Sequence, residues 1–245
     1  MSATVFKRCA AALTAVVALA GCGSLQPQPE RGPGPTAIAG ATWQRVRIHI
    51  RWNRAEQPNW HLDALLAHRV AGPLVERERA AIGLWRFHRR AADDAAGHSL
   101  SLLTYASPAL NASLCRTLRT DPLVIEMTQA GLLDRVECEG FAAERERLVE
   151  GSSDPRWSPE LQRAWPYYIM GVSEMWLRLI DEHARAAAPQ EEAPDLGRTV
   201  AFYRQVDQAV TRTWQKEGEH AFLHHLNALF GYQPIDLRGE EPRRF

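Results

Sequence analysis

Two stretches of this chain place arginine and histidine at every second position. In residues 43–52, WQRVRIHIRW, Arg45, Arg47, His49 and Arg51 alternate with Val46, Ile48 and Ile50. In residues 84–90, LWRFHRR, Arg86, His88 and Arg90 alternate with Trp85 and Phe87. A period of two is the half-buried strand pattern, so each set of cations shares one face of a sheet. Guanidinium forks and imidazoles gathered on one face suit phosphate, carboxylate or sulfate groups. Arg47, His49, Arg86, His88, Arg90 and His98 are therefore the candidate anion-binding residues. The simpler alternative is pairing with Glu174, Asp181 or Glu182 of a helix laid over that face, because half-buried arginines need such partners.

Other chemistry is thinner. His220 and His224 are four apart, with Glu217 on the same helical face. The residues between the histidines are Ala221, Phe222 and Leu223, so no general base accompanies them as in a zincin helix. A polar helix face is the expected reading, and no metal or cofactor is expected. His61 and His68, seven apart, make a weak ligand pair. No G-x-S-x-G elbow or Gly-rich phosphate loop occurs, and no catalytic residue is assigned. An acid–base site built on His88 and His98 stays open as an alternative.

The 29 basic residues balance 29 acidic ones, and Lys7 and Lys216 are the only lysines. With no basic excess, general nucleic-acid binding is not expected. Lys7-Arg8 precedes an apolar run, Ala10 to Ala20, too short to span a bilayer but suited to the core of a signal peptide. The run ends in Leu19-Ala20-Gly21-Cys22. This resembles the lipobox of bacterial lipoproteins, and the resemblance implies a lipidated Cys22 at the mature N-terminus. Gly23, rather than Asp, after the cysteine implies delivery to the outer membrane, facing the periplasm. The membrane is then a partner through the anchor, and an envelope protein is a possible second one. Several acyl chains suffice for stable anchoring. Cys115 and Cys138 remain, an even pair in an oxidising compartment, and are expected to form a disulfide.

Residues 1–21 thus read as signal peptide, and 22–41, rich in Pro, Gly and Gln, as a flexible tether. From 42 to 150 the order is β-α-β-β-α-β. The first strand covers 43–52 and the first helix 59–82, kinked at Gly72-Pro73. A hairpin follows over 84–105. Ser107-Pro108 and Asp121-Pro122 start helical pieces, and 135–141 is the last strand. The expected fold is α+β, a ferredoxin-like antiparallel sheet with helices on one face.

In the hairpin, a tip at Asp93-Asp94 would pair Phe87 with Leu100 and Trp85 with Leu102. Trp43, Leu84, Leu103 and Tyr105 fall on the basic face, so part of that face must be covered. Residues 157–236 supply helices. The first, through WPYYIMGVSEMWLRLI, is apolar nearly all round and should be buried. The second is capped by Asp195.

WRFHRR at 85–90 followed by GHSLSL at 97–102 also resembles the hairpin of thiopeptide-type biosynthesis domains. That resemblance implies shared strand geometry and a peptide-handling groove. The functional expectation is an outer-membrane lipoprotein acting as a non-catalytic binding or accessory module. An anion- or peptide-binding module using the basic face is the alternative.

Overall fold

The computed structural model describes residues 38–91, 97–140, 144–187 and 195–235. The signal peptide, Cys22, most of the tether, the hairpin tip at Asp93-Asp94 and the loop at 189–194 lie outside them.

Four strands form one sheet: β1 (Thr42–Ile50), β2 (Ile82–Arg90), β3 (Ser99–Ala106) and β4 (Leu133–Gly140). Their order is β2-β3-β1-β4, and every neighbouring pair is antiparallel. Between β1 and β2 run α1 (Trp60–Leu66) and α2 (Gly72–Arg77); between β3 and β4 run α3 (Pro108–Arg119) and α4 (Pro122–Gln129). The fold is α+β, as the strand and helix periodicities require. The helices α5 (Pro159–Ala187), α6 (Leu196–Gly218) and α7 (His225–Leu229) complete the described chain.

The helix starts follow local chemistry. Ser107, Asp121 and Asp195 each accept a hydrogen bond from a backbone N–H of the first turn, and proline opens α3 and α4. The expected kink at Gly72-Pro73 takes another form. A π turn, Ala67–Ala71, joins α1 to α2 immediately before the proline. Pro73 has no N–H to continue the α ladder, and a π turn is one way a helix absorbs that loss. Gly72 is needed there for space, since a Cβ would lie 2.8 Å from the Ala67 carbonyl oxygen and 3.0 Å from the Leu177 side chain of α5.

The inner sheet face carries Val46, Ile48, Ile50, Trp85, Phe87, Leu100 and Leu102, all buried, with Val136 and Cys138 packed against them. The hairpin register differs from the expected one by two residues. Phe87 faces Leu102, and Trp85 faces Thr104. A shift of two preserves every side chain's face, so alternation could not detect it. Gly97, with φ of +74°, sits at the start of the returning strand.

Helices α5 and α6 do not lie over the basic face. They extend the inner core beyond the edge strand β2, adding Ile180, Ala184, Tyr203, Val206 and Val210. Helix α5 also caps the strand edge: the Phe87 N–H donates to Ser173 Oγ at 3.0 Å, and that hydroxyl donates to the Ile169 carbonyl at 2.8 Å. An edge strand left bare would be a template for pairing with other chains.

Cys115 on α3 and Cys138 on β4 stand at disulfide distance, with Cα atoms 6.1 Å apart. Unreduced, denatured protein is therefore expected to leave both thiols unreactive to alkylation. Reduction is expected to lower stability by about 3 kcal/mol for a loop of this size. Full labelling without reductant would show the pair to be open.

Candidate functional site

The strand registers set the basic face out in rows. Across it run Glu139, Arg45, Leu103 and Arg86; then Glu137, Arg47, Ser101 and His88; then Arg135, His49, Ser99 and Arg90. The expected pairing with acids of α5 is not what forms. Arg45 and Arg47 both reach Glu139, at 2.9 and 3.0 Å, and His49 reaches Glu137 at 2.7 Å. Glu137 and Glu139 are cross-strand neighbours of these residues, whereas α5 does not lie over the face. The hydrogen bonds of His49 and then Arg135 hold the Glu137 carboxyl below its ordinary range. Glu174 instead pairs with Arg79 and Arg178, and Asp181 and Glu182 with Arg185.

The cover on this face is the segment of 3₁₀ turns Glu144–Arg147 and Val149–Ser152. Trp43 Nε1 donates to the Val149 carbonyl at 2.8 Å and the Tyr105 hydroxyl to the Arg147 carbonyl at 2.9 Å. Buried indole N–H and phenol O–H groups need acceptors, and irregular turns offer free carbonyls. Trp43, Leu84, Leu103, Tyr105 and Ala41 form the second buried cluster beneath them.

His98 does not belong to the anion-binding set. It lies on the inner side, where its Nε2 bonds Asp63 Oδ2 of α1 at 2.8 Å, with both side chains at 0 % exposure. The rings of Trp60 and Trp52 close edge-on over it at 5.0 and 6.3 Å. His88 is on the opposite sheet face, so the structure does not bring His88 and His98 together. The His98–Asp63 pair has the geometry of an imidazole oriented by a carboxylate, but it is sealed from solvent. It acts as a crosslink between α1 and the start of β3.

Arg89 completes this network. It is on the inner face of β2, and its guanidinium lies 4.7 Å over Trp60 and 4.9 Å over Trp176. It donates to the Trp60 carbonyl at 3.0 Å and approaches Asp63 at 3.4 Å and Asp207 of α6 at 3.7 Å. Burial raises the Asp207 carboxyl above its ordinary value, opposed by Arg89 and assisted by Asp63. Burial, then the charge of Arg204, lowers the nearby His61 imidazole to about 4, which keeps it neutral at pH 7.

His68 sits on the π turn, bridging Tyr203 at 2.6 Å and Asp181 at 3.3 Å, and is not paired with His61. Burial pushes the Tyr203 hydroxyl up to about 12, so it stays protonated at pH 7. His220 and His224 of the second π turn, Glu219–His224, cluster with His225 at the start of α7, with ring centroids 5.2–5.6 Å apart. As placed, no three donor side chains among the described residues could hold a metal ion.

A cavity of about 510 Å³ opens between β2, α5 and α6. Its walls include Phe87, Trp165, Ile169, Met175, Trp176, Trp214 and Phe222, and its polar rim is Arg86, His88, Arg89 and Asp207. The all-round apolar helix α5 was expected to be buried, and only Pro166, Ser173, Ile180 and Ala184 are. Trp165, Ile169, Val172, Met175, Trp176 and Leu179 stay half-buried because they face this cavity. The sequence carried two signals for the site: the apolar excess of α5, and Arg89, a charge at an inward position of β2. Asp63 and Asp207 had none.

No family model and no curated protein matches the chain. Among solved structures it is similar to one described as the crystal structure of TsrL, with 10 % identity and a TM-score of 0.34. The match covers 78 % of this chain and 49 % of that one, so the chain spans about half its length. A likeness at this level carries no argument.

Asp63→Ala strips His98 of its carboxylate and leaves Arg89 with Asp207 alone, at 3.7 Å. The expected loss is about 3–5 kcal/mol in urea unfolding, as for breaking a buried pair. A loss below about 1 kcal/mol would show that the network does not hold α1 to the sheet.

Proposed function

We propose that this chain is an outer-membrane lipoprotein, anchored through Cys22 and facing the periplasm. In this reading it is a non-catalytic module whose ligand occupies the aromatic cavity between β2, α5 and α6. The lipobox resemblance supports the anchor. Among the described residues no helix is long and apolar enough to cross a membrane.

One observation carries the binding reading. An apolar helix leaves six large side chains half-buried around a cavity of about 510 Å³. That volume is in the range of small-molecule sites, and such sites are apolar with a few placed polar groups. Filling the cavity would remove the apolar surface that folding leaves open. The basic sheet face is the weaker candidate, because Glu137 and Glu139 pair with its β1 members and the 3₁₀ turns cover part of it. From the thiopeptide-type resemblance we take only a hairpin beside a groove.

The neutral fluorophore N-phenyl-1-naphthylamine tests the cavity. Saturable enhancement is expected with the wild-type protein, and its loss in Val172→Trp, which fills the space, provided the melting temperature is retained. No saturable enhancement with the wild type would end the cavity reading. The anchor has its own test. Cys22→Ser is expected to yield protein without acyl chains by mass spectrometry of the envelope fraction. A wild-type mature N-terminus other than acylated Cys22 would end that reading.

A further inference from the structure

We propose that the cavity takes a single-chain amphiphile with an anionic oxygen head, the head held at Arg86 and the chain lying along α5. The inference rests on the cavity being a ligand site and names what it takes.

Arg86 is a largely buried cation of the outer sheet face, and no ion pair among the described residues gives it a carboxylate. Its one hydrogen bond goes to the Ser152 carbonyl, at 3.3 Å, and its Nε is buried without a partner. None of the ion pairs among the described residues includes it. The reason lies in the register. Among the strands, acids enter the outer face only from β4, and Glu139 is shared by Arg45 and Arg47 while Glu137 is taken by His49 and Arg135. Strands β1 and β3 stand between β4 and β2. Burial, then the charges of Arg45 and Arg90, lowers the Arg86 guanidinium to about 10. A buried guanidinium beside like charges is costly unless an anion meets it. An oxyanion at Arg86 would supply the missing partner, and a guanidinium fork matches carboxylate or phosphate geometry.

The opposite charge preference has less support. Aromatic walls near Asp207 could suit a quaternary ammonium ligand. The chain already fills that role itself, because Arg89 lies over Trp60 and Trp176 and 3.7 Å from Asp207. Beyond the rim the walls are Trp165, Ile169, Met175, Trp214 and Phe222, which offer an apolar chain a mostly hydrocarbon and aromatic surface. Trp214 is 52 % exposed and stacks on Phe222 with centroids 5.8 Å apart, an apolar lip at the surface.

Displacement of N-phenyl-1-naphthylamine by four probes with the same twelve-carbon chain tests this: dodecanoate, dodecyl phosphate, dodecanol and dodecyltrimethylammonium. The two anions are expected to displace the fluorophore at concentrations about tenfold or more below dodecanol, a difference of about 1.4 kcal/mol. Their mutual order tells a carboxylate head from a phosphate head. Arg86→Gln is expected to bring the anions to the dodecanol value. Arg86→Lys, which keeps the charge and loses the fork, is expected to fall between, and it serves if the Gln variant does not fold. Equal displacement by dodecanol and the anions, preference for the ammonium probe, or an anion preference that survives Arg86→Gln would each overturn the inference while leaving the cavity a ligand site. Absence of fluorophore binding in the wild type would instead remove the cavity reading on which it rests.

Discussion

A carboxylate at zero exposure organises this molecule. Asp63 sits on α1 among Leu62, Leu65 and Leu66, where an unpaired charge would be prohibitive. It is tolerated because His98 brings a ring nitrogen to 2.8 Å and Arg89 lies beside it at 3.4 Å. Those three residues come from α1, β2 and the start of β3, and Asp207 adds α6. The pair fixes where α1 crosses the sheet and how α6 approaches it. Its satisfaction is not complete, since Asp63 Oδ1 and His98 Nδ1 are both buried without a partner. Such networks specify one arrangement more than they add to stability.

The second constraint is the edge of β2. The sheet ends there, and its outermost N–H groups need partners or cover. Ser173 supplies one partner and α5 the cover, so the first long C-terminal helix runs beside the sheet rather than across its basic face. That choice has two consequences. The outer face is left to pair with itself, acids from β4 meeting arginines from β1, beneath a strip of 3₁₀ turns. The apolar residues of α5 face a gap between β2 and α6 instead of a closed core. The cavity and the uncompensated Arg86 therefore have one origin, a helix docked at a strand edge.

Much of this was legible in the residues, and particular failures show where legibility stops. Alternation assigned Val46, Ile48, Ile50, Trp85, Phe87, Leu100 and Leu102 to the inner face, and it placed Trp43, Leu84, Leu103 and Tyr105 under cover on the outer one. The register of the hairpin slipped by two because alternation is blind to even shifts. The acids of β4 were readable in the same way: Glu137 and Glu139 alternate with Val136 and Cys138, and the cations they neutralise are cross-strand or diagonal neighbours on β1 and, for Glu137, Arg135 two residues back on β4. Their partners depend on β4 lying beside β1, a neighbourhood set by the strand order and not by alternation along the chain.

By itself, the sequence determined what depends on neighbours along the chain. The strand faces, the caps at Ser107, Asp121 and Asp195, and the cysteine pair within a short loop are all of this kind, because period-two pleating and first-turn N–H groups are local physics. Tertiary structure alone decided which elements meet. It carried His98 from a supposed surface site to a sealed contact with Asp63, 35 residues away, and Arg89 onto two tryptophans 29 and 87 positions distant. It also decided that α5 would border a cavity rather than fill a core. Those outcomes turn on how a sheet edge, a buried charge and two long helices share the same space, and no stretch of chain contains that competition.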